Sequence, residues 1–192
     1  TGVDMARMKI EFLHQYRKRH APRLRERLIA WLPRYAPYVA RAPWLANLRD
    51  RVPGLARLTQ PLLGLSACRP LPRWRRDVFA RHSDDRPRTD GTAGEGVLGV
   101  DTFNTYFEPE NVRAALAVLA AAGYRVQLAQ PRDGGRPLCC GRTFLTAGLV
   151  AEAREEARRL IEALVPYATR GVPIVGLEPS CLLTMRDELP AL

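Results

Sequence analysis

The feature that most constrains this chain is a strand–helix–strand–helix–strand alternation in its second half, each segment too short and too regular for other assignments. VLGVD (97–101) reads as a buried strand, PENVRAALAVLAAAGY (109–124) as a helix and RVQLAQ (125–130) as a second strand. Gly123 fits the helix C-terminus, where a left-handed residue is wanted. A loop, PRDGGRPLCCGR (131–142), leads to a long helix over about 144–168. Its Leu149, Ala153, Ala157, Leu160, Ile161 and Leu164 make one apolar face. VPIVGLE (172–178) is a third strand, and Pro179-Ser180 opens a last helix. This order implies right-handed crossovers and a parallel sheet, hence an α/β fold. Ligands of such sheets gather at the carboxyl ends of the strands. The residues there are Asp101, Cys139-Cys140-Gly141 and Glu178-Pro179-Ser180-Cys181.

The first half has a different character. Residues 1–90 hold 20 Lys and Arg against 8 Asp and Glu, whereas residues 91–192 hold 10 against 12, so the net charge of +10 belongs to the first half. Asp4 is a candidate N-cap for an amphipathic helix that runs to about His20 and carries Met5, Met8, Phe12 and Leu13. A second helix opening at Pro22 presents Leu24, Leu28, Trp31 and Leu32, and breaks or kinks at Pro33 and Pro37. Shorter pieces come next, near Trp44–Leu48 and Gly54–Leu63. From Cys68 to Gly96 turn formers dominate, so the expected division is a basic helical segment over 1–66, a linker over 67–95 and an α/β domain over 96–192.

Composition removes several classes. With 46% hydrophobic and 26% charged residues the chain supports a packed core. No apolar run reaches 18 residues, so no membrane-spanning helix or signal peptide is expected; the chain starts at Thr1 and reads as an excised piece. Four irregularly spaced cysteines suit a reducing, cytoplasmic setting rather than a secreted disulfide scaffold. Neither G-x-x-x-x-G-K nor G-x-G-x-x-G nor a Ser-His-Asp set is present. The arginines are spread round their helices, which argues against nucleic acid; a docking surface for another domain or for an anionic membrane face, or simply a solvated arginine-rich surface, fits Trp31, Tyr35, Tyr38 and Trp44 better.

The chemistry concentrates on thiols. Adjacent cysteines do not readily pair with each other, and a following glycine admits close backbone approach to a bulky group. The plainer reading makes Cys139, Cys140 and Cys181 small buried hydrophobes. Asp101 reads first as a cap and then as an oxygen ligand, Arg142 as a loop ion pair or an anion contact, and Glu178 as a solvated carboxylate or a proton site. His14, His20 and His82 have no zinc spacing, and Cys68 stands isolated.

P-L-C-C-G-R (137–142) with G-L-E-P-S-C (176–181) some forty residues later resembles the cysteine-rich CCG domain. That domain occurs in heterodisulfide reductases, in iron–sulfur subunits of glycolate oxidase and anaerobic glycerol-3-phosphate dehydrogenase, and in FAD-linked D-lactate dehydrogenase-like proteins. Residues 100–124 and 172–190 are similar to the FAD-linked branch, and the opening TGVDMARMKIEFLHQY is similar to the stretch just after a ferredoxin-like module in that branch. The family pattern has a lone cysteine where this chain has Asp101 and a last cysteine where it has Thr184. The resemblance implies an interior fragment of an FAD-linked iron–sulfur oxidoreductase, 2-hydroxy-acid dehydrogenase-like and inactive alone, whose CCG domain passes electrons from flavin to an acceptor.

It implies an iron–sulfur cluster, of 4Fe–4S type, on Cys139, Cys140 and Cys181 with Asp101 as substitute metal ligand, and Gly141 at the cofactor. The implied partners are FAD-binding and ferredoxin-like domains, a second CCG repeat and a membrane-associated acceptor, placing the protein in the cytoplasm or peripherally at the inner membrane face. The rival expectation is a structural module that lacks its own cluster and packs against a second repeat. A third is thiol–disulfide sensing by Cys139 or Cys140 with Cys181, which calls for a lowered thiol pKa.

Overall fold

In a computed structural model, which describes residues 4–79 and 91–192, three strands form one parallel sheet. They are β1 (Gly94–Gly99), β2 (Tyr124–Leu128) and β3 (Ile174–Gly176), in the order β2-β1-β3. Val97 pairs with Gln127 on one side and Ile174 on the other. The two-residue period of β1 then splits the core. Val97 faces Leu138, Cys140, Leu160 and Leu164, while Leu98 faces Val112, Leu116, Leu128 and Phe79. Both are fully buried, each contributing roughly 2 kcal/mol of burial free energy. Helix α7 (Pro109–Ala121) supplies Val112 and Leu116 to one face, and α9 (Val150–Ala168) supplies Leu160 and Leu164 to the other. The α/β expectation is correct.

Helix α9 starts later than periodicity predicts. Residues from Arg142 to Leu145 form a separate turn, α8, and Gly148 at φ +75° divides the two. A Cβ there would sit 2.6 Å from the backbone carbon of Leu13. Leu13 lies on α1 (Met5–Arg17), whose Asp4 cap accepts from the amides of Ala6 and Arg7. The break is thus imposed by a distant helix pressing on the α8–α9 corner.

The second expected helix is two: α2 (Leu24–Ala30) and α3 (Leu32–Val39). Pro33 occupies the opening of α3, where its missing N–H is no loss, and Pro37 lies inside it. Helices α4 (Pro43–Arg51) and α5 (Leu55–Leu63) come next. The stretch after them, as far as it is described, has no helix or strand but is held in place. The side chain of Asn47 donates to the Trp74 carbonyl and accepts from its N–H, Trp74 packs on Phe107 with ring centroids 4.6 Å apart, and Phe79 enters the sheet core. His82 and the rest of the 80–90 segment lie outside the described residues.

The basic helices and the α/β part share a core. Ala30 and Trp31 meet Phe144, Leu145, Ala147 and Ala153, with the Trp31 ring edge-on to Phe144 at 5.2 Å. Beside them Glu156 of α9 is fully buried. Its carboxylate accepts from Arg34 of α3 at 3.0 Å and from two nitrogens of Arg136, and Arg159 lies 3.6 Å away. Removing one member of such a group strands the remaining charges. Glu156→Ala should therefore lower the unfolding free energy by about 3–5 kcal/mol, read from urea denaturation, with Glu156→Gln intermediate because it keeps an acceptor oxygen.

Candidate functional site

Strand ends bring the candidate residues to one edge of the sheet. Beyond β1 lie Val100 and Asp101; beyond β3 lie Leu177 and Glu178, which leads into α10 (Pro179–Arg186); the loop from β2 arrives as Leu138-Cys139-Cys140-Gly141. These segments line a cavity of about 50 Å³ together with Leu164 and Met185. On the outer side, Cys139, Cys140 and Cys181 also border a cleft of about 230 Å³, closed by Pro33, Phe103 and Arg142.

The thiols do converge. Cys140 donates to Cys181 across 3.2 Å, and Cys139 is hydrogen-bonded to Cys140 while accepting the Gly141 N–H at 3.4 Å. Cys139 and Cys140 are buried, whereas Cys181, in the first turn of α10, is partly exposed. The bond to Cys140 and then desolvation raise the Cys139 thiol well above its ordinary range. For Cys140 the contact with Cys139 lowers the pKa, but the bond to Cys181 and burial outweigh it and push the value to about 12. Both are neutral thiols at neutral pH, so neither has the lowered pKa expected of a thiol that makes the first attack on an external disulfide.

The other candidates have structural partners. Asp101 caps the short helix α6 (Thr102–Tyr106): Oδ1 accepts from the amides of Phe103 and Asn104, and Oδ2 from the Asn104 side chain at 2.6 Å. Thr184 is fully buried, donates to the Ser180 carbonyl and accepts from Arg142, which also pairs with Glu188 at 2.9 Å. Glu178 caps α10 through Ser180. The close approach expected at Gly141 exists, with φ +83°, but a Cβ there would meet the Ala153 carbonyl of α9 at 2.9 Å rather than a ligand. Cys68 is exposed and lines neither the cavity nor the cleft, and His20 stacks on Tyr16.

Among the described residues no group of three or more His, Cys, Asp or Glu is arranged to hold a metal ion. The implied cluster does not fit this donor set: three thiols are present, and the two positions that would complete the family's pattern are a carboxylate filled by three hydrogen bonds and a buried threonine.

Reasoning from sequence missed Arg136 and Glu156. Arg136 ties the cysteine loop to α9, and Arg159 reinforces it by donating to the Arg136 carbonyl at 2.8 Å and to both oxygens of Asp133. A signal was available: Glu156 stands on the buried stripe of Ala153, Ala157 and Leu160, where a lone carboxylate needs partners.

No protein-family model and no solved structure matches the chain. The D-2-hydroxyglutarate dehydrogenase of Escherichia coli K12 is 23% identical to it over an alignment of 195 positions that covers 97% of this chain. That of Pseudomonas putida KT2440 is 28% identical over the same share, and that of Haemophilus influenzae Rd is 20% identical. The chain is thus similar in sequence to D-2-hydroxyglutarate dehydrogenases over nearly its whole length. It spans about a fifth of the length of these curated relatives, 18–19%. The similarity runs through both the basic helices and the cysteine-bearing α/β part. No helix of the described residues is long and apolar enough to cross a membrane.

The anchor of the cysteine loop has a pH signature. The Arg159 hydrogen bond, and then the Gly135 amide, hold the Asp133 carboxyl down to about 2, against an ordinary 3.8. A depressed carboxyl contributes its stability fully above the ordinary value and loses it as pH falls through the folded value. Asp133 is largely exposed, so solvent screening keeps the effect small. Between about pH 4 and pH 2, Asp133→Asn should show a shallower fall in thermal midpoint than the parent protein.

Proposed function

We propose that the chain is a segment of an FAD-linked oxidoreductase of 2-hydroxy acids, D-2-hydroxyglutarate first among them. The carrying observation is the similarity to D-2-hydroxyglutarate dehydrogenases across 97% of the chain, which takes in both the helical and the α/β part. The flavin and the oxidation of the substrate belong to parts outside this segment, since no phosphate-cradling or dinucleotide motif occurs in it. A cytoplasmic enzyme, peripheral at the membrane where its acceptor lies, is the setting this reading implies.

Within that enzyme, passage of electrons from flavin to acceptor through a cluster on Cys139, Cys140, Cys181 and Asp101 is the finer form of the reading. The hydrogen bonds that already occupy Asp101 and Thr184 favour its rival, a cluster-free module that packs against a second cysteine-rich repeat and against the FAD-binding and ferredoxin-like parts. Exposed Met5, Met8 and Phe12, at 56–70% exposure along one side of α1, give such packing an apolar contact.

Full-length protein decides both levels. Anaerobic D-2-hydroxyglutarate should bleach the oxidised flavin absorption; absence of flavin, or a flavin that no 2-hydroxy acid reduces, defeats the oxidoreductase reading. Iron content should be the same in Cys139→Ser and Cys181→Ser as in the parent. A fall of about four irons per chain in either variant would restore the ligand role.

A further inference from the structure

The Cys140 and Cys181 sulfurs belong to segments 41 residues apart in sequence yet touch at 3.2 Å, on the wall of a cleft that a small molecule can enter. Closing that gap to a disulfide bond of ~2.05 Å needs a shift of about 1 Å, within the reach of side-chain rotation. We propose that Cys140 and Cys181 are a reversible dithiol–disulfide pair, oxidised by low-molecular-weight disulfides. The proposal stands on this geometry and does not depend on the oxidoreductase reading.

The two sulfurs have unequal parts. Cys181 is partly exposed and borders the cleft, so its thiolate attacks the incoming disulfide, RSSR, forming a mixed disulfide and releasing RS⁻. Cys140 is buried behind it; it loses its proton to solvent and attacks the Cys181 sulfur, expelling the second RS⁻. In sum, two protein thiols and RSSR give one intramolecular disulfide and two RSH. Contact between the sulfurs compensates for the poor acidity of a buried thiol, because the second step is intramolecular. Cys139 is excluded as the resolving group, since its thiol is directed to Cys140 and the Gly141 amide, and a vicinal pair closes only with distortion. The product would tether the loop before α8 to the first turn of α10.

The test incubates reduced, intact protein anaerobically with oxidised glutathione, then alkylates free thiols and digests with trypsin. The expected result is loss of two alkylatable thiols and a linked pair of peptides, 133–142 with 171–186, whose fragmentation places the bridge on Cys140; dithiothreitol reverses it. Because fragmentation separates Cys139 from Cys140 in the parent protein, the result needs no variant. Cys139→Ser should keep the bridge and Cys140→Ser should leave Cys181 as a glutathione adduct. A bridge through Cys139, a persistent glutathione adduct on Cys181 of the parent, or adducts confined to exposed Cys68 would each overturn the proposal.

Discussion

A single buried carboxylate organises the junction on which the rest of the molecule relies. Glu156 has no contact with water and draws one arginine from each of three regions: Arg34 from the basic helices, Arg136 from the cysteine loop and Arg159 from its own helix. A carboxylate in that position is tolerable only when all of these arrive together. Three strands, one of them three residues long, make a small sheet. Its cover on the cysteine side therefore depends on a helix whose inner face is tied to the first forty residues of the chain. The charge asymmetry of the sequence is partly an internal matter for the same reason, since Arg34 bridges both Glu155 and Glu156 and Arg17 reaches the Ala147 carbonyl.

The α/β half was legible because its signals are local. Alternation in β1 sorts Val97 and Leu98 to opposite faces, and the helix starts at Asp101 and Pro179 are written in single residues. What escaped is long-range. The corner at Gly148 cannot be read from residues 142–168 alone, because its cause is the backbone of Leu13. The stretch around Trp74 has the composition of a linker, yet two hydrogen bonds from Asn47 and the Phe107 ring fix it, and no nearby residue announces either partner.

At the candidate site the sequence was right about place and incomplete about state. Parallel strands deliver their carboxyl ends to one edge, so the convergence of Cys139, Cys140 and Cys181 is a product of topology. Protonation is set by surroundings instead. The contact with Cys140 and burial keep the proton on Cys139, and the bond to Cys181 and burial keep it on Cys140 against the opposing pull of Cys139. Motif spacing also left Asp101 open between ligand and cap; in the structure it caps α6, and Asn104 donates to its second carboxylate oxygen.

Two of the three tryptophans make the junction optically readable. Trp31 stands edge-on to Phe144, on the seam between the basic helices and the α/β part, whereas Trp74 is wedged between Tyr106 and Phe107 near the start of α7. Emission from the first is governed by whether the helices are seated, and from the second by whether the 64–79 stretch is. Trp44, half exposed, adds only a solvent-like background. The chain thus carries its own pair of fluorophores on two separate contacts, and a change in one without the other would distinguish loosening of the seam from release of the 64–79 stretch.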